Sequence, residues 1–318
     1  MTAQEDRAAA ALRQLIEQHP GCALDSGSPQ WLFGTNHVTF GKLHGAPVVF
    51  KHYDWAPRKQ QEERALDLFA PTRLVPRLYP IPSASILVME RLRGATLLAA
   101  EPNLAKDQLE AVYRQLGAAL AMLVTAAPGQ MPGGDNGMLS KAGFDYEFFC
   151  QASTATLFDT VIARAASILA NHAVPDRAVL QASLDRLQQH RDAILAYPSF
   201  IQMDDFHKNN IMVDGAEVTG FIDLEMTRYG NEVLVLAAAL AAFAGTPDRW
   251  QWFRQGYEER RGAPISRDLF NLVCAAAPFT QWIRFMWYWT TPPELLEEGE
   301  ITRTWPIRDI KAVVQKLG

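Results

Sequence analysis

The hydrophobic and polar positions change pattern near residue 92, where short apolar runs give way to helical spacing. Ahead of it, "WLFGTNHVTFGKLHGAPVVFKHY" holds two apolar runs joined by the turn signal "HGAP", which predicts two strands. "SILVME" is a short apolar run typical of a buried strand, and "TRLVPRLYPIP" predicts a loop. Within "RKQQEERALDLFA", Ala65, Leu66 and Phe69 share one helical face, and Glu62 lies about one turn before them.

Beyond residue 100 the pattern is mainly helical. The apolar stripe of the first long helix consists of Leu109, Val112, Tyr113, Leu116, Leu120 and Leu123. Helices are predicted again through 155–196, and the tryptophan-rich end of the chain is also helical. Residues "APGQMPGGDNG" predict a loop, and residues 8–16 predict an N-terminal helix with apolar positions at helical spacing.

The segment 201–225 interrupts the helices with a predicted hairpin. The runs "FIQM", "NIMV" and "VTGFID" are short and apolar, and "DGAE" places an Asp-Gly turn signal before the last one. We therefore predict an α+β fold with a small β-rich lobe at 1–92 and a larger helical lobe at 93–318. The boundary is expected near residues 91–95.

Composition narrows the class of protein. The net charge of −5 lacks the basic excess of a duplex-binding surface, so a nucleic-acid partner is not expected. The most apolar windows, "LGAALAMLVTAA" and "VLVLAAALAAFAG", are shorter than the roughly 20 residues of a membrane span, and both predict buried helices. The N-terminus does not resemble a signal peptide, and three scattered cysteines fit reduced thiols, so we expect a cytoplasmic protein without a membrane partner.

Chemistry concentrates in "MDDFHKNNIMV" and the hairpin that follows it. Asp205 lies five residues before Asn210, and Asp223 ends the second strand of the hairpin. Phosphoryl transfer from ATP needs a carboxylate to orient a hydroxyl and oxygen ligands for Mg²⁺, which these residues supply. Upstream, Lys51 closes the strand "VVFK" and is expected to hold phosphates with Glu62 as its partner, although Glu63 competes for that role.

With these motifs the chain resembles the aminoglycoside phosphotransferase family, the small-molecule branch of the protein-kinase-like fold. The matching segments are "MDDFHKNNIMV", "FIDLE", "YGNE" and "LVMERLRGATL". The resemblance implies that Asp205 is the catalytic base, that Asn210 and Asp223 hold Mg²⁺, and that Lys51 and Glu62 serve the ATP phosphates. It also implies that the backbone from Glu90 to Leu92 meets the adenine edge.

The implied reaction is ATP- and Mg²⁺-dependent transfer of the γ-phosphoryl group to a hydroxyl of a small molecule. The acceptor is expected to be aminoglycoside-, amino-alcohol- or sugar-like. The loop departs from the family pattern, with Met203 in place of a histidine and Asp204 in place of a glycine. These departures support an alternative, a nucleotide-binding pseudokinase with a regulatory or scaffolding role.

Several residues carry two interpretations. Asp204 is expected to be a surface or substrate-facing charge, and His207 a brace of the loop rather than a proton shuttle. Glu225 either reaches a second metal through water or caps local backbone. The aromatic run "QWIRFMWYW" is expected to pack in the core, or else to form a wall of the acceptor site, and the acidic run "PELLEEGE" to be solvated or to grip a polyamine.

Overall fold

The structure is a computed structural model that describes residues 3–26, 36–126, 150, 152–243, 246–290 and 300–317. Its strands are β1 (Cys22–Leu24), β2 (His37–Leu43), β3 (Ala46–His52), β4 (Leu78–Tyr79), β5 (Ile86–Glu90), β6 (Ala95–Thr96), β7 (Ser199–Met203), β8 (Ile211–Asp214), β9 (Glu217–Phe221) and β10 (Thr227–Asn231). Its α-helices are α1 (Ala3–Gln18), α2 (Ala56–Phe69), α3 (Leu97–Ala100), α4 (Lys106–Ala126), α5 (Thr154–Asn171), α6 (Arg177–Gln189), α7 (Arg191–Leu195), α8 (Glu232–Phe243), α9 (Pro247–Arg261), α10 (Arg267–Ala276), α11 (Phe279–Thr290) and α12 (Glu300–Leu317).

The chain forms two compact units. Unit 1 consists of Met1–Leu104 with Lys208–Met226, and unit 2 consists of Ala105–His207 with Thr227–Gly318. Residues 208–226 thus group with the N-terminal part of the chain. The predicted lobes, 1–92 and 93–318, stay a prediction.

Unit 1 contains an antiparallel sheet with the strand order β1-β2-β3-β5-β4. The predicted "HGAP" turn joins β2 to β3, and both His44 and Gly45 have positive φ values of 49° and 84°. Because successive side chains of a strand point to opposite faces, Val48 and Phe50 of β3 lie on one face, where they pack in a core with Leu12 and Leu15 of α1. The helices and strands predicted around them are confirmed, except where residues 31–35 lie outside the described part of the chain.

The second sheet of unit 1 has the order β6-β8-β9. The Asp-Gly signal forms the β8–β9 turn, as predicted. In β9, Gly220 has a φ of 149°, and a Cβ there would lie 2.7 Å from the carbonyl oxygen of Leu74. That close approach lets the backbone N–H of Phe221 donate to Leu74 O at 2.7 Å. The bond connects the hairpin to the segment between α2 and β4.

In its described residues, unit 2 is helical apart from a two-stranded sheet. The predicted strand "FIQM" is β7, but it pairs with β10 and not with the hairpin, with Met203 opposite Thr227. The sequence did not predict β10, because "TRYGN" has neither an apolar run nor an alternating pattern. Its Thr227, Arg228 and Asn231 are nevertheless buried.

The two strongly apolar windows are buried helices, as predicted. One lies in α4, with Leu116 and Leu120 buried, and the other is α8, which is buried from Val233 to Leu240. No helix in the described ranges combines the length and apolarity that crossing a membrane requires. The antiparallel sheet of the N-terminal part and the helical remainder confirm the α+β class. The predicted loop at 127–137 lies outside the described residues.

Candidate active site

Lys51 of unit 1 is buried among carboxylates. It follows Phe50 in β3 and therefore points to the sheet face opposite α1. There its Nζ donates to Glu62 Oε2 at 2.5 Å and to Oδ1 of Asp223. A strand, a helix and the end of the β8–β9 hairpin thus contribute one charged side chain each to a single contact.

Glu62 belongs to the buried stripe of α2, together with Ala65, Leu66 and Phe69. A carboxylate among apolar neighbours has to be paired, and Glu62 accepts hydrogen bonds from Lys51, from the Tyr53 hydroxyl and from the backbone N–H of Leu224. Glu63 points elsewhere and pairs with Lys59 at 3.2 Å. The structure therefore places Glu62, and not Glu63, on Lys51.

Glu225 is a third acid beside Lys51, with its Oε2 4.0 Å from the lysine Nζ. It lies in the 3₁₀ turn Leu224–Met226 and is buried. Asn36 donates to its Oε2 at 2.6 Å, and the Arg58 guanidinium lies 3.4 Å from its Oε1. Burial raises the pKa of Glu225 to about 7, against the opposing effect of Lys51.

The neighbouring groups titrate outside the ordinary range. Burial by itself would lower the pKa of Lys51, yet the charges of Asp223, Glu62 and Glu225 raise it above its usual value. Burial and the Glu62 carboxylate together raise the pKa of the Tyr53 hydroxyl well above its usual value. Lys51 is therefore a fixed positive charge, and Tyr53 is a neutral donor.

The two predicted metal ligands, Asn210 and Asp223, approach each other through the backbone. The Ile222 N–H donates to the Asn210 carbonyl at 2.9 Å, and Asn210 is buried at the end of the 3₁₀ turn Lys208–Asn210. Asp223 has a φ of 63°, a left-handed conformation that aspartate tolerates better than most residues. One carboxylate oxygen each from Glu62, Asp223 and Glu225 lie within 4.8 Å of one another.

Carboxylate oxygens at this spacing are the donor set that a hard divalent cation prefers. Among the ion pairs of the described residues, these three carboxylates contact two cations, Lys51 and Arg58. The local charge therefore favours a bound cation when all three acids are ionised. The side chains present thus fit Mg²⁺.

The segment from Glu90 to Leu92, predicted to meet adenine, begins with the last residue of β5. Its first two backbone N–H groups are engaged: Glu90 donates to Arg77 O at 2.9 Å and Arg91 to Pro47 O at 3.3 Å. The Leu92 side chain lies against Gly220. The N–H groups of Glu90 and Arg91 are therefore already used within unit 1.

Asp205, the predicted base, lies in the loop after β7 in unit 2. Its Oδ2 is 3.1 Å from His207 Nε2, and its Oδ1 accepts a hydrogen bond of 3.1 Å from the Arg284 guanidinium of α11. Its side chain keeps 26% of its surface exposed. His207 thus contacts and orients the carboxylate, in line with the predicted brace.

Asp204 is not exposed at the surface, so the expectation of a surface charge is wrong; the expectation that it faces the substrate stays a prediction. It is buried, and its Oδ1 accepts a hydrogen bond of 2.7 Å from Nε of Arg228 on β10. Arg228 is itself fully buried and donates to the Tyr229 carbonyl at 2.8 Å. The charge of Asp204 is compensated inside unit 2, because a buried carboxylate without a partner would be costly.

The aromatic run forms α11, and its core interpretation holds for two members. Trp282 and Phe285 are fully buried and contact each other edge to face, with ring centroids 5.0 Å apart. Trp289 is partly exposed, with its ring centroid 5.7 Å from that of Phe285. The acidic run at 294–300 lies outside the residues whose side chains the structure describes.

Comparison with known proteins decides the family. The model of the Phosphotransferase enzyme family (APH) matches residues 29–269. The chain belongs to this family. The predicted family is thus confirmed, and the protein is a small-molecule phosphotransferase.

Solved structures share the fold of this phosphotransferase. Aminoglycoside phosphotransferase APH(4)-Ia is 17% identical with a TM-score of 0.67, over 97% of this chain and 99% of that one. A putative aminoglycoside phosphotransferase from Ralstonia eutropha is 15% identical with a TM-score of 0.64, over 97% and 98% of the chains. Macrolide 2'-phosphotransferase MphH from Brachybacterium faecium is 17% identical with a TM-score of 0.64, over 94% and 97%. A search of curated proteins finds no match.

Sequence reasoning missed three arginines of this phosphotransferase: Arg58, Arg228 and Arg284. Arg58 precedes Glu62 by one helical turn on α2, so helical spacing alone would have suggested it. Arg284 is the one charged residue within "QWIRFMWYW". A lone charge in an apolar helix indicates that the side chain has a specific partner or function. Arg228 had no signal, because its strand was not predicted.

Proposed function

We propose that this phosphotransferase uses ATP and Mg²⁺ to phosphorylate a hydroxyl group of a small molecule in the cytoplasm. The observation that carries the proposal is the buried Lys51, which contacts Glu62 and Asp223 at once in a member of the family. Structures of similar fold support the nucleotide and the acceptor class. A thermostable mutant of APH(4)-Ia, 15% identical to this chain, is known in ternary complex with AMP-PNP and hygromycin B.

In the proposed reaction, Lys51 binds the α- and β-phosphates of ATP. Glu62 holds the lysine in place, and Tyr53 donates a hydrogen bond to the same carboxylate. Because the lysine ammonium group is already held by carboxylates, its side chain loses little conformational entropy when it binds phosphate. The backbone from Glu90 to Leu92 binds the adenine edge.

Asn210 and Asp223 are the proposed ligands of Mg²⁺, and Glu225 is close enough to join them directly or through water. Bound there, Mg²⁺ would neutralise charge on the phosphates. The left-handed backbone at Asp223 fixes the direction of its side chain. Asn210 is buried, and its backbone carbonyl accepts a hydrogen bond from Ile222, the residue before Asp223; its side chain would supply a neutral oxygen ligand.

Asp205 orients the acceptor hydroxyl and takes its proton. The bond between the acceptor oxygen and the γ-phosphorus forms while the bond from that phosphorus to the β,γ-bridging oxygen breaks, and ADP leaves. No covalent enzyme intermediate is required. The contacts to His207 and Arg284 hold the carboxylate in one orientation.

An ADP-release assay with Mg²⁺ tests this proposal across aminoglycosides, macrolides, choline, sugars and amino acids. Asp205→Asn is expected to lower kcat by about 10²–10⁴-fold on any acceptor that the wild type uses. Asp192→Asn is the matched control, since that side chain is 93% exposed. Near-normal turnover by Asp205→Asn would overturn the assignment of the base.

The pseudokinase alternative rests on the altered loop, in which the buried Asp204–Arg228 pair stands beside Asp205. It makes a different prediction in the same experiment. Nucleotide would raise the thermal midpoint of unfolding, while no acceptor would increase ADP release above the rate in buffer.

A further inference from the structure

Arg284 places a positive charge directly against the carboxylate proposed as the base. Its Nη2 donates to Asp205 Oδ1 at 3.1 Å, and the arginine side chain is 39% exposed. A guanidinium presents five N–H donors in a planar fork. In the part of the chain that the structure describes, Arg284 forms an ion pair with Asp205 alone. Because 39% of the side chain is exposed, a second edge of the guanidinium can bind a ligand.

The helix that carries Arg284 is fixed by its buried face. Trp282 and Phe285 are fully buried, and the Trp282 indole N–H donates to Ser183 Oγ on α6 at 3.2 Å. The arginine therefore extends from a packed helix and not from a loose loop. A rigid support is what a specificity-determining contact needs.

Among the described residues, Asp205 contacts a positive charge that disfavours a polycationic acceptor. Arg284 compensates the charge of the carboxylate on Oδ1, and His207 contacts Oδ2. An ammonium group approaching this carboxylate meets the guanidinium as a like charge, whereas a carboxylate or phosphate meets a bidentate partner. Without Arg284, an anionic acceptor would be repelled by Asp205 itself.

Two anionic groups come near a proton acceptor in a kinase reaction: the transferred phosphoryl group and any anion on the acceptor. The family match ends at residue 269, so Arg284 lies outside the part that carries the shared reaction. A residue that acted on the phosphoryl group would be expected inside that part. The position of Arg284 favours the acceptor.

We propose that Arg284 binds an anionic group, a carboxylate or a phosphate, on the acceptor. The substrates are then hydroxyl compounds that carry negative charge, such as hydroxy acids, sugar acids or sugar phosphates. This inference rests on the proposed function and narrows its substrate class. It excludes polycationic aminoglycosides as the preferred acceptors.

The test measures kcat and KM for ADP release with acceptors that share a skeleton and differ in charge. One series is glucuronate, glucose and glucosamine; the other is glycerate, glycerol and 3-amino-1,2-propanediol, with hygromycin B as a polycation. Arg284→Met removes the charge, and Arg284→Lys keeps it without the fork. Arg308→Met is the control, because Arg308 is 70% exposed and contacts Asp309.

The wild type is expected to have its highest kcat/KM on an anionic acceptor. Arg284→Met should lower that value by about 10²-fold, mainly through KM, and Arg284→Lys should restore part of it. Thermal midpoints of all variants are measured beside the rates, so that a folding defect is recognised.

Three results would overturn the inference. The first is a highest kcat/KM on a cationic or neutral acceptor. The second is an equal loss of kcat/KM on all charge classes in Arg284→Met, which would limit the arginine to holding the Asp205 carboxylate or to the phosphoryl group. The third, ATP binding without turnover on any acceptor, would overturn the proposed function as well, and this sets it apart from the first two.

Discussion

Nε of Arg228 lies 2.7 Å from Oδ1 of Asp204, and both side chains are buried in unit 2. Asp204 replaces the glycine of the family pattern, immediately before the proposed base. The pair joins the loop after β7 to β10, so that the residue beside Asp205 is held by an internal ion pair. The buried Met203 offers no such hydrogen bond.

We predict that breaking this pair destabilises the protein. Arg228→Met leaves Asp204 as a buried charge without its partner, which is expected to cost about 3–5 kcal/mol in the free energy of unfolding. The double variant Asp204→Asn/Arg228→Met should cost less than the sum of the single variants, because no charge is then stranded. Urea unfolding measures both. A loss below about 1 kcal/mol in Arg228→Met would contradict the importance of the pair.

Because His52 is buried, we predict that the free energy of unfolding decreases in mild acid. Burial lowers its pKa, opposed by Asp54 and reinforced by the charges of His37 and Arg7. Because the unfolded chain binds the proton more readily, the free energy of unfolding is highest above about pH 6.5 and falls as the pH drops towards the folded-state pKa.

The measurement is the free energy of unfolding from pH 8 to pH 5, as approximate limits around the histidine pKa. His52→Asn should flatten the decline. His44→Asn is the control, since His44 is exposed and asparagine tolerates its positive φ. An unchanged slope in His52→Asn would assign the decline to other groups.

Two adjacent glutamates of α2 provide a matched test of the phosphate-binding lysine. Glu62→Gln removes the charge that holds Lys51, and we expect kcat to fall by about 10²-fold, the scale of losing one preorganised electrostatic contact. Glu63→Gln removes a charge paired with Lys59 and should leave kcat near the wild-type value. Equal losses in the two variants would mean that Lys51 does not depend on Glu62.

Magnesium dependence tests the carboxylate cluster. Asp223→Asn and Asn210→Ala are each expected to raise the Mg²⁺ concentration for half-maximal ATP-dependent thermal stabilisation by at least about tenfold, because even residues behind a metal ligand have effects of 10–100-fold. Chelation of Mg²⁺ should abolish turnover. Asp214→Asn, at the exposed end of β8, serves as the control. Unchanged Mg²⁺ dependence in Asp223→Asn would remove it from the metal site.

Local patterns account for what the sequence predicted well. The strands β2, β3 and β5 are short apolar runs bounded by turn residues. The β8–β9 turn is predicted by Asp-Gly within the four residues "DGAE". The approach of Glu62 to Lys51 also follows from local spacing, because Glu62 lies on the buried stripe of α2.

Long-range pairing accounts for what the sequence missed. The polar strand β10 pairs with β7, and the buried Arg228 has its charge compensated by Asp204. Similarly, 79 residues separate Arg284 from Asp205, so no periodicity connects them. Contacts between polar residues far apart in sequence leave no pattern in a single chain.

Transfer of label from [γ-³²P]ATP tests the central claim most directly. With Mg²⁺ and an acceptor that supports ADP release, the label is predicted to appear in the acceptor, with the acceptor's hydroxyl as the phosphorylated group, and to disappear from it in Asp205→Asn. Label found only in inorganic phosphate or in the protein itself would contradict direct transfer to a small-molecule hydroxyl.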